Sequence, residues 1–253
     1  MKSLESIYNS ILLENQNPNN IDLELLNICV KGTYTINDDG SIDVEGDVDL
    51  SHKKLTKIPF NFGKVSGNFS CNNNKLTSLK GSPNTVGGDF YCTYNQLTTL
   101  DGAPNTVGGN FHCYYNKLTT LEGAPNTVSG NFYCYYNQLT TLEGAPNTVS
   151  GNFSCHDNQL TSLKGAPNTV GGGFYCDHNQ LTTLEYAPNT VGGNFLCYDN
   201  PNLPYSELFK IVDNVKGDIL YSSPNTLEDK DKIRRDRDVK TTLKDDELGS
   251  LDV

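Results

Sequence analysis

Between Val65 and Asn200, apolar and polar positions recur on a 21-residue lattice. Cysteine stands at 71, 92, 113, 134, 155, 176 and 197, so every step is 21. In phase with it run Phe69 to Phe195, Val65 to Val191, Gly67 to Gly193, Asn74 to Asn200, Leu76 to Leu181 and Leu79 to Leu184. One unit reads V-x-G-x-F-x-C-x-x-N-x-L-T-x-L-x-G-x-P-x-x. The alternation of Val, Gly, Phe and Cys with polar or aromatic residues is the period of a strand with one face buried. Because the next strand lies a whole repeat away, the predicted sheet is parallel. Leu-x-x-Leu supplies a second apolar layer, and Gly-Ala-Pro-Asn turns the chain: Pro fixes φ and Asn favours turns. A single coil cannot bury its apolar side, so stacking of coils makes the core, as in a β solenoid.

The lattice also marks the ends. "VEGDVDLSHKKLTKIP" keeps the phase through Val44, Gly46, Val48 and Leu50, and "VKGDIL" repeats the signature at Val215, Gly217 and Ile219. That predicts about nine short strands with irregular returns, stacked over roughly 40 Å at ~4.8 Å per strand. Four segments follow: an N-terminal cap (1–43), the repeat solenoid (44–200), a C-terminal cap (201–222) and a charged tail (223–253). In the first, Leu4, Ile7, Tyr8, Ile11 and Leu12 share one helical face, and "GTYTINDDGSIDVEG" reads as a hairpin about Asp38-Asp39-Gly40. In the third, Leu208, Phe209, Ile211 and Val212 predict a short amphipathic helix over the last coils. The tail mixes nine acids with seven bases and reads as a mobile or helical solvated segment, with a tether to a larger assembly as the alternative.

The F-x-C-x-x-N-x-L stretch occupies the place of L-x-L-x-x-N-x-L, the strand-and-turn signature of leucine-rich repeats. The repeat length and the return Pro resemble the short bacterial leucine-rich repeats of secreted effectors, with Phe and Cys replacing Leu on the strand. The wording "LTSLKGSPNTVGGDFYC" is similar to leucine-rich-repeat-like proteins of tailed bacteriophages, over about residues 33–200. The resemblance implies a leucine-rich-repeat-like β solenoid and a phage-encoded protein, acting in the host cytoplasm or in the virion. It implies no particular activity.

Composition narrows the function. At 36% hydrophobic residues and no Trp, the chain is poor material for one compact core, which favours an elongated shape. Net charge is −11, and no segment is basic, so the electrostatic footprint of a nucleic-acid or anionic-membrane partner is missing. The N-terminal stretch carries Glu5 and Glu14 and lacks the apolar run of a secretory signal. The cysteine column is read as reduced thiols packed in the core, because Phe-x-Cys puts each thiol on the Phe side and no C-x-x-C pair offers zinc a site. The asparagine column is read as a turn ladder of amides satisfying one another and the backbone. The Gly-Gly pairs sit where each strand begins. No nucleophile elbow, phosphate loop or paired acid appears, so the expectation is a non-enzymatic protein without a cofactor.

What varies between coils is available for recognition. The three strand positions pointing away from Phe and Cys hold nine of the fourteen tyrosines. The candidate partner-binding residues are Tyr91, Tyr94, His112, Tyr114, Tyr115, Tyr133, Tyr135, Tyr136, His156 and Tyr175. Tyr brings large, stiff contact area with a hydroxyl, and Asp89, Asn110 and Asn131 flank the patch as adaptable polar groups. The expected partner is a protein; a virion component docking by its ends, or a glycan-binding module, are the alternatives. Further along, parallel register sets His156 beside Asp177 and Asp157 beside His178, the candidate ligands for a divalent metal, although such exposed pairs are ordinarily just ion pairs.

Overall fold

The computed structural model describes residues 21–222. The expected helix around Leu4–Leu12 and the tail 223–253 lie outside them. The described chain enters through α1 (Leu23–Cys29), where Asp22 accepts a hydrogen bond from the Leu25 amide at 3.0 Å. That bond satisfies one of the amides left open at a helix start. β1 (Val30–Ile36) and β2 (Ile42–Asp49) form an antiparallel hairpin with Val30 opposite Val48 and Ile36 opposite Ile42. Its turn runs through Asp38–Gly40, where Asp39 accepts from the Ser41 amide and hydroxyl and Gly40 has φ 80°.

From β2 onward the strand pairing is parallel. β2 spans two neighbours: Val44 pairs with Val65 of β3 (Phe62–Val65), and Val48 with Phe69 of β4 (Phe69–Ser70). Each later coil up to Leu196 contributes two two-residue strands, Thr85–Val86 and Phe90–Tyr91 in the first instance, where the alternation predicted one longer strand; the last contributes a single bridge at Val215 and the strand Ile219–Leu220. The Gly pair lies between these strands rather than at the start of one, and it bends the chain there. Two ladders result. One joins the valines in nine rungs from Val44 to Val215, and the other runs in nine rungs from Val48 through the phenylalanines to Ile219. The molecule is a parallel β solenoid of about nine turns. Gly130 shows why the bend needs glycine: a Cβ there would lie 2.6 Å from Asn110 Oδ1 and 2.7 Å from the Gly109 carbonyl group. The coils approach too closely for any side chain.

The core is one column of like residues on another. Phe69 to Phe195 stack with ring centroids 5.1–5.4 Å apart, and all seven are fully buried. The Leu76 and Leu79 columns close the other side, also fully buried. All eight cysteines are free and buried. Cys134 Sγ donates to the Ser154 carbonyl of the next coil at 3.3 Å. Burial pushes the thiols upward, Cys197 to about 12, which suits a packing role and suppresses thiolate.

The asparagine column works differently from the expected amide-on-amide ladder. Asn116 Nδ2 donates to Cys113 O at 3.1 Å in its own coil and to Cys92 O at 3.0 Å in the coil before, while its Oδ1 accepts from the Leu97 amide at 3.1 Å. Each amide therefore staples two coils through their backbones. The reason is reach: at the corner, the unpaired backbone groups lie closer to the amide than the next amide does.

At the far end, Tyr205–Lys210 forms a 3-10 helix rather than the expected amphipathic α-helix. With three residues per turn, Leu208 and Ile211 eclipse on one face. Ile211 is accordingly buried and Leu208 packs on the core, whereas Phe209 is 41% exposed. Glu207 accepts from the Leu184 amide at 2.9 Å, replacing the next-coil carbonyl that receives the matching amide of Leu100, Leu121 and Leu142.

Two outcomes follow from this packing. Asn116→Ala strands the Leu97 amide in the interior and leaves the Cys92 carbonyl with Asn95 as its one remaining side-chain donor, and should lower stability by roughly 1–3 kcal/mol, read by chemical denaturation. A thiol reagent should leave the native cysteines unmodified over minutes and label all eight in denaturant; rapid labelling of the native chain would contradict the buried column.

Candidate recognition surface

Parallel register brings nine of the ten candidate side chains into one array of three aromatic stacks. In the first, Tyr91 stacks on His112 at 4.4 Å and His112 on Tyr133 at 5.0 Å. In the second, Tyr114 stacks on Tyr135 at 4.4 Å and Tyr135 on His156 at 4.5 Å. The third carries Tyr94, Tyr115 and Tyr136, at 4.5 and 4.6 Å. Neighbouring stacks meet edge to face, as between Tyr114 and Tyr115 (5.8 Å, 71°) and between Tyr135 and Tyr136 (5.6 Å, 73°). Offset stacking and edge-to-face contact are the two geometries the ring quadrupole favours, and here they knit a herringbone. Ring faces inside a stack are occupied by the next ring, so the surface presents edges and hydroxyls.

Tyr175 stands apart. Ser154 interrupts its column, and the Tyr175 ring folds over Gly173, where a Cβ would lie 2.5 Å from it. Gly173 takes the place of Asn152 and Asn131, one and two coils earlier, and Tyr175 fills the vacated space.

The third stack stands on an unusual backbone. Asn73, Tyr94, Tyr115, Tyr136, Asp157, His178 and Asp199 form one column, and all have positive φ, between 49° and 54°. Asn, Asp and His enter this left-handed region several times more readily than other side chains, whereas a bulky residue there is an outlier. Tyr94, Tyr115 and Tyr136 are also the array's exposed members, at 47%, 38% and 42%. The signal for a left-handed position lies in the other coils of the column, at Asn73, Asp157, His178 and Asp199, and not at the tyrosines themselves.

Two residue groups differ from the sequence-based expectation. Asp89, Asn110 and Asn131 are not adaptable rim groups. Asp89 Oδ1 accepts from the Asn110 amide at 2.6 Å, Asn110 Oδ1 from the Asn131 amide at 2.8 Å and Asn131 Oδ1 from the Asn152 amide at 2.7 Å. They form a second side-chain ladder, at the bend where the sheet bonds lapse. Asp89 also accepts from the Tyr91 hydroxyl at 2.7 Å; burial, and then that carboxylate, push the Tyr91 phenol to about 12. His112 serves as a stacking ring within the array, and neither ring nitrogen meets a hydrogen-bond partner. Burial pushes its imidazole below the usual value against the opposing charge of Asp89.

The histidine–aspartate pairs form within coils, not across them as the register alone predicted. His156 Nδ1 meets Asp157 Oδ2 at 2.7 Å, and His178 Nδ1 meets Asp177 Oδ2 at 3.0 Å. The left-handed turn at Asp157 and at His178 swings each side chain back toward its chain neighbour. His178 then reaches forward, Nε2 to Asp199 Oδ2 at 3.1 Å. Among the described residues no group of three or more His, Cys, Asp and Glu is placed to hold a metal ion. His156, Asp157, Asp177 and His178 instead line an open cleft of about 350 Å³ with Tyr136, Tyr175, Leu196 and Tyr198. Among the described residues, no helix is long and apolar enough to cross a membrane.

No protein-family model matches the sequence, and no curated protein matches it significantly.

The cleft has a pH signature. The Asp177 hydrogen bond, with the charges of Asp157, Asp177 and Asp199, outweighs partial burial and raises the His178 imidazole above its ordinary value. The raised group stabilises the fold while protonated: the effect is complete below about pH 6.5 and fades as pH rises through the folded value. The groups facing it are those three carboxylates and the Tyr198 phenol. The difference in unfolding midpoint between wild type and His178→Gln should therefore shrink from about pH 6 to about pH 9. A constant difference would assign His178 a packing role only.

Proposed function

We propose that this chain is a non-enzymatic recognition module, a leucine-rich-repeat-like solenoid whose aromatic array binds a protein. One observation carries the reading: three consecutive tyrosines occupy left-handed backbone positions and are the exposed rings of the array. Elsewhere in that column stand Asn, Asp and His, which the conformation suits better. Holding Tyr there costs on the order of 1 kcal/mol each, and backbone strain of this kind collects at functional sites. Tyr is also enriched where proteins meet. Ring edges and hydroxyls suit hydrogen-bonding protein surfaces better than sugar rings, which stack on open faces.

Within this reading, α1 with its hairpin and the Tyr205–Lys210 segment act as end caps. The Glu207 carboxylate supports this, taking the amide that a further coil would have taken. By the sequence resemblance the protein is phage-encoded, and the partner we propose for it is a host protein, a defence component among the candidates.

The test is the variant carrying Tyr94→Asn, Tyr115→Asn and Tyr136→Asn. Relief of strain offsets lost stacking, about 1 kcal/mol against 0.5–1.5 kcal/mol per ring, so stability should change little. Capture from host lysate, compared by mass spectrometry, should show proteins enriched on wild type and lost on the variant. Identical captured sets from two equally stable chains would sink the reading.

A further inference from the structure

Two of the three aromatic stacks end at the same place. After Tyr136 the next residue in its column is Asp157, and after His156 the next is Asp177. Each stack thus stops at a ring whose second face is followed by a carboxylate residue, and both terminal rings line the open cleft of about 350 Å³. Inside the stacks a ring face meets the next ring at 4.4–5.0 Å, and of the stack ends only Tyr136 and His156 are followed by a carboxylate residue and line this cleft. At the cleft, the place of the next ring is open to a planar group arriving from outside.

The chemistry of the walls selects that group. Asp157 and Asp177 line the cleft, and Asp199 of the following coil lies behind His178, so a planar anion is repelled and a planar cation attracted. His156 engages only Oδ2 of Asp157, leaving Oδ1 outside that bond. The cleft already holds one flat nitrogen ring in this fashion. His178 lies between two carboxylates of adjacent coils, 3.0 Å from Asp177 and 3.1 Å from Asp199, with Tyr198 edge-on at 5.4 Å. Carboxylates at this spacing suit a donor that is flat and forks in its own plane. A guanidinium has that shape, stacks on aromatic faces and is weakly hydrated; an ammonium is a compact, strongly hydrated point charge.

We propose that this cleft is a guanidinium site, which receives an arginine side chain of the protein partner as a continuation of the Tyr136 stack. The inference rests on reading the array as a protein-binding face, and it adds the chemistry of one anchor residue to that face. Tyr136 covers one face of the guanidinium, Asp157 takes its edge, and Asp177 and Asp199 supply the field. Arginine anchors of this kind are enriched among the residues that dominate protein interfaces.

The experiment uses the full chain and free probes, so it does not depend on finding the partner. The ring signals of His156, His178 and Tyr198 are followed by NMR during titration with N-acetyl-arginine amide. Parallel titrations use N-acetyl-lysine amide and N-acetyl-citrulline amide, the first charged but not planar, the second planar but uncharged. The arginine probe should shift those signals saturably, with a Kd on the order of 1–10 mM for a single side chain. Lysine should bind at least about fivefold more weakly, and citrulline should leave the signals in place. Asp157→Asn should weaken the arginine probe, and Tyr136→Leu should remove its advantage over lysine while the fold persists by circular dichroism. Absence of arginine shifts, equal response to citrulline, or an arginine advantage that survives Tyr136→Leu would each overturn the proposal. A negative result here leaves the capture experiment on the tyrosine face unaffected. A failed capture experiment likewise leaves arginine binding by the cleft to be decided by these signals alone.

Discussion

The structure depends on one constraint: each coil must satisfy its backbone on the coil above and the coil below. Phe90 donates its amide to Asn110 O at 2.9 Å, and Gly108 donates to Val86 O at 2.9 Å, so the bonds run toward both neighbours. Such bonds close only when equivalent residues lie directly over one another. Columns of identical residues are the direct result. A column of Phe stacks at 5.1–5.4 Å without alternating large and small side chains, and a column of Cys fills the space beside it. Length is then free to vary while the cross-section is not, which is the economy of one-dimensional repeat folds.

Where the sheet bonds lapse, side chains take over. The Asn95–Asn116 column binds backbone at the corner, and the Asp89–Asn131 column binds backbone at the glycine bend. Both ladders use a short amide or carboxylate because only a short side chain reaches the amide 19 or 21 residues away without leaving the coil. The polar groups therefore carry as much of the register as the apolar ones, and a buried amide deprived of its partners is costly. Glu207 applies the same logic at the end of the stack, with one carboxylate oxygen standing in for a missing carbonyl.

The aromatic array follows from this frame rather than adding to it. Register makes Tyr stack on Tyr, and the corner makes the third column left-handed, whatever residue stands there. Asn73, Asp157 and Asp199 show what the corner accepts easily. The run of Tyr94, Tyr115 and Tyr136 departs from that ease in three adjacent coils only, and the departure ends where the carboxylates of the cleft begin. Strain, exposure and position thus coincide on one patch.

The sequence by itself determined the period, the parallel stacking, the nine rungs, the burial of Phe, Cys and Leu, and the grouping of the tyrosines. These are all consequences of identity at a fixed spacing, and spacing is a one-dimensional property. Only the tertiary structure decided that each coil carries two strands, because the bend at Gly88 and Gly109 comes from the close approach of the neighbouring backbone. It alone decided that Asp89, Asn110 and Asn131 hold coils together and that Tyr175 leaves the array for the space above Gly173. It alone decided that His178 pairs with Asp177 and Asp199 rather than with Asp157. In each case the outcome turns on where a side chain points after a corner, and that direction is set by contacts with the coils on either side.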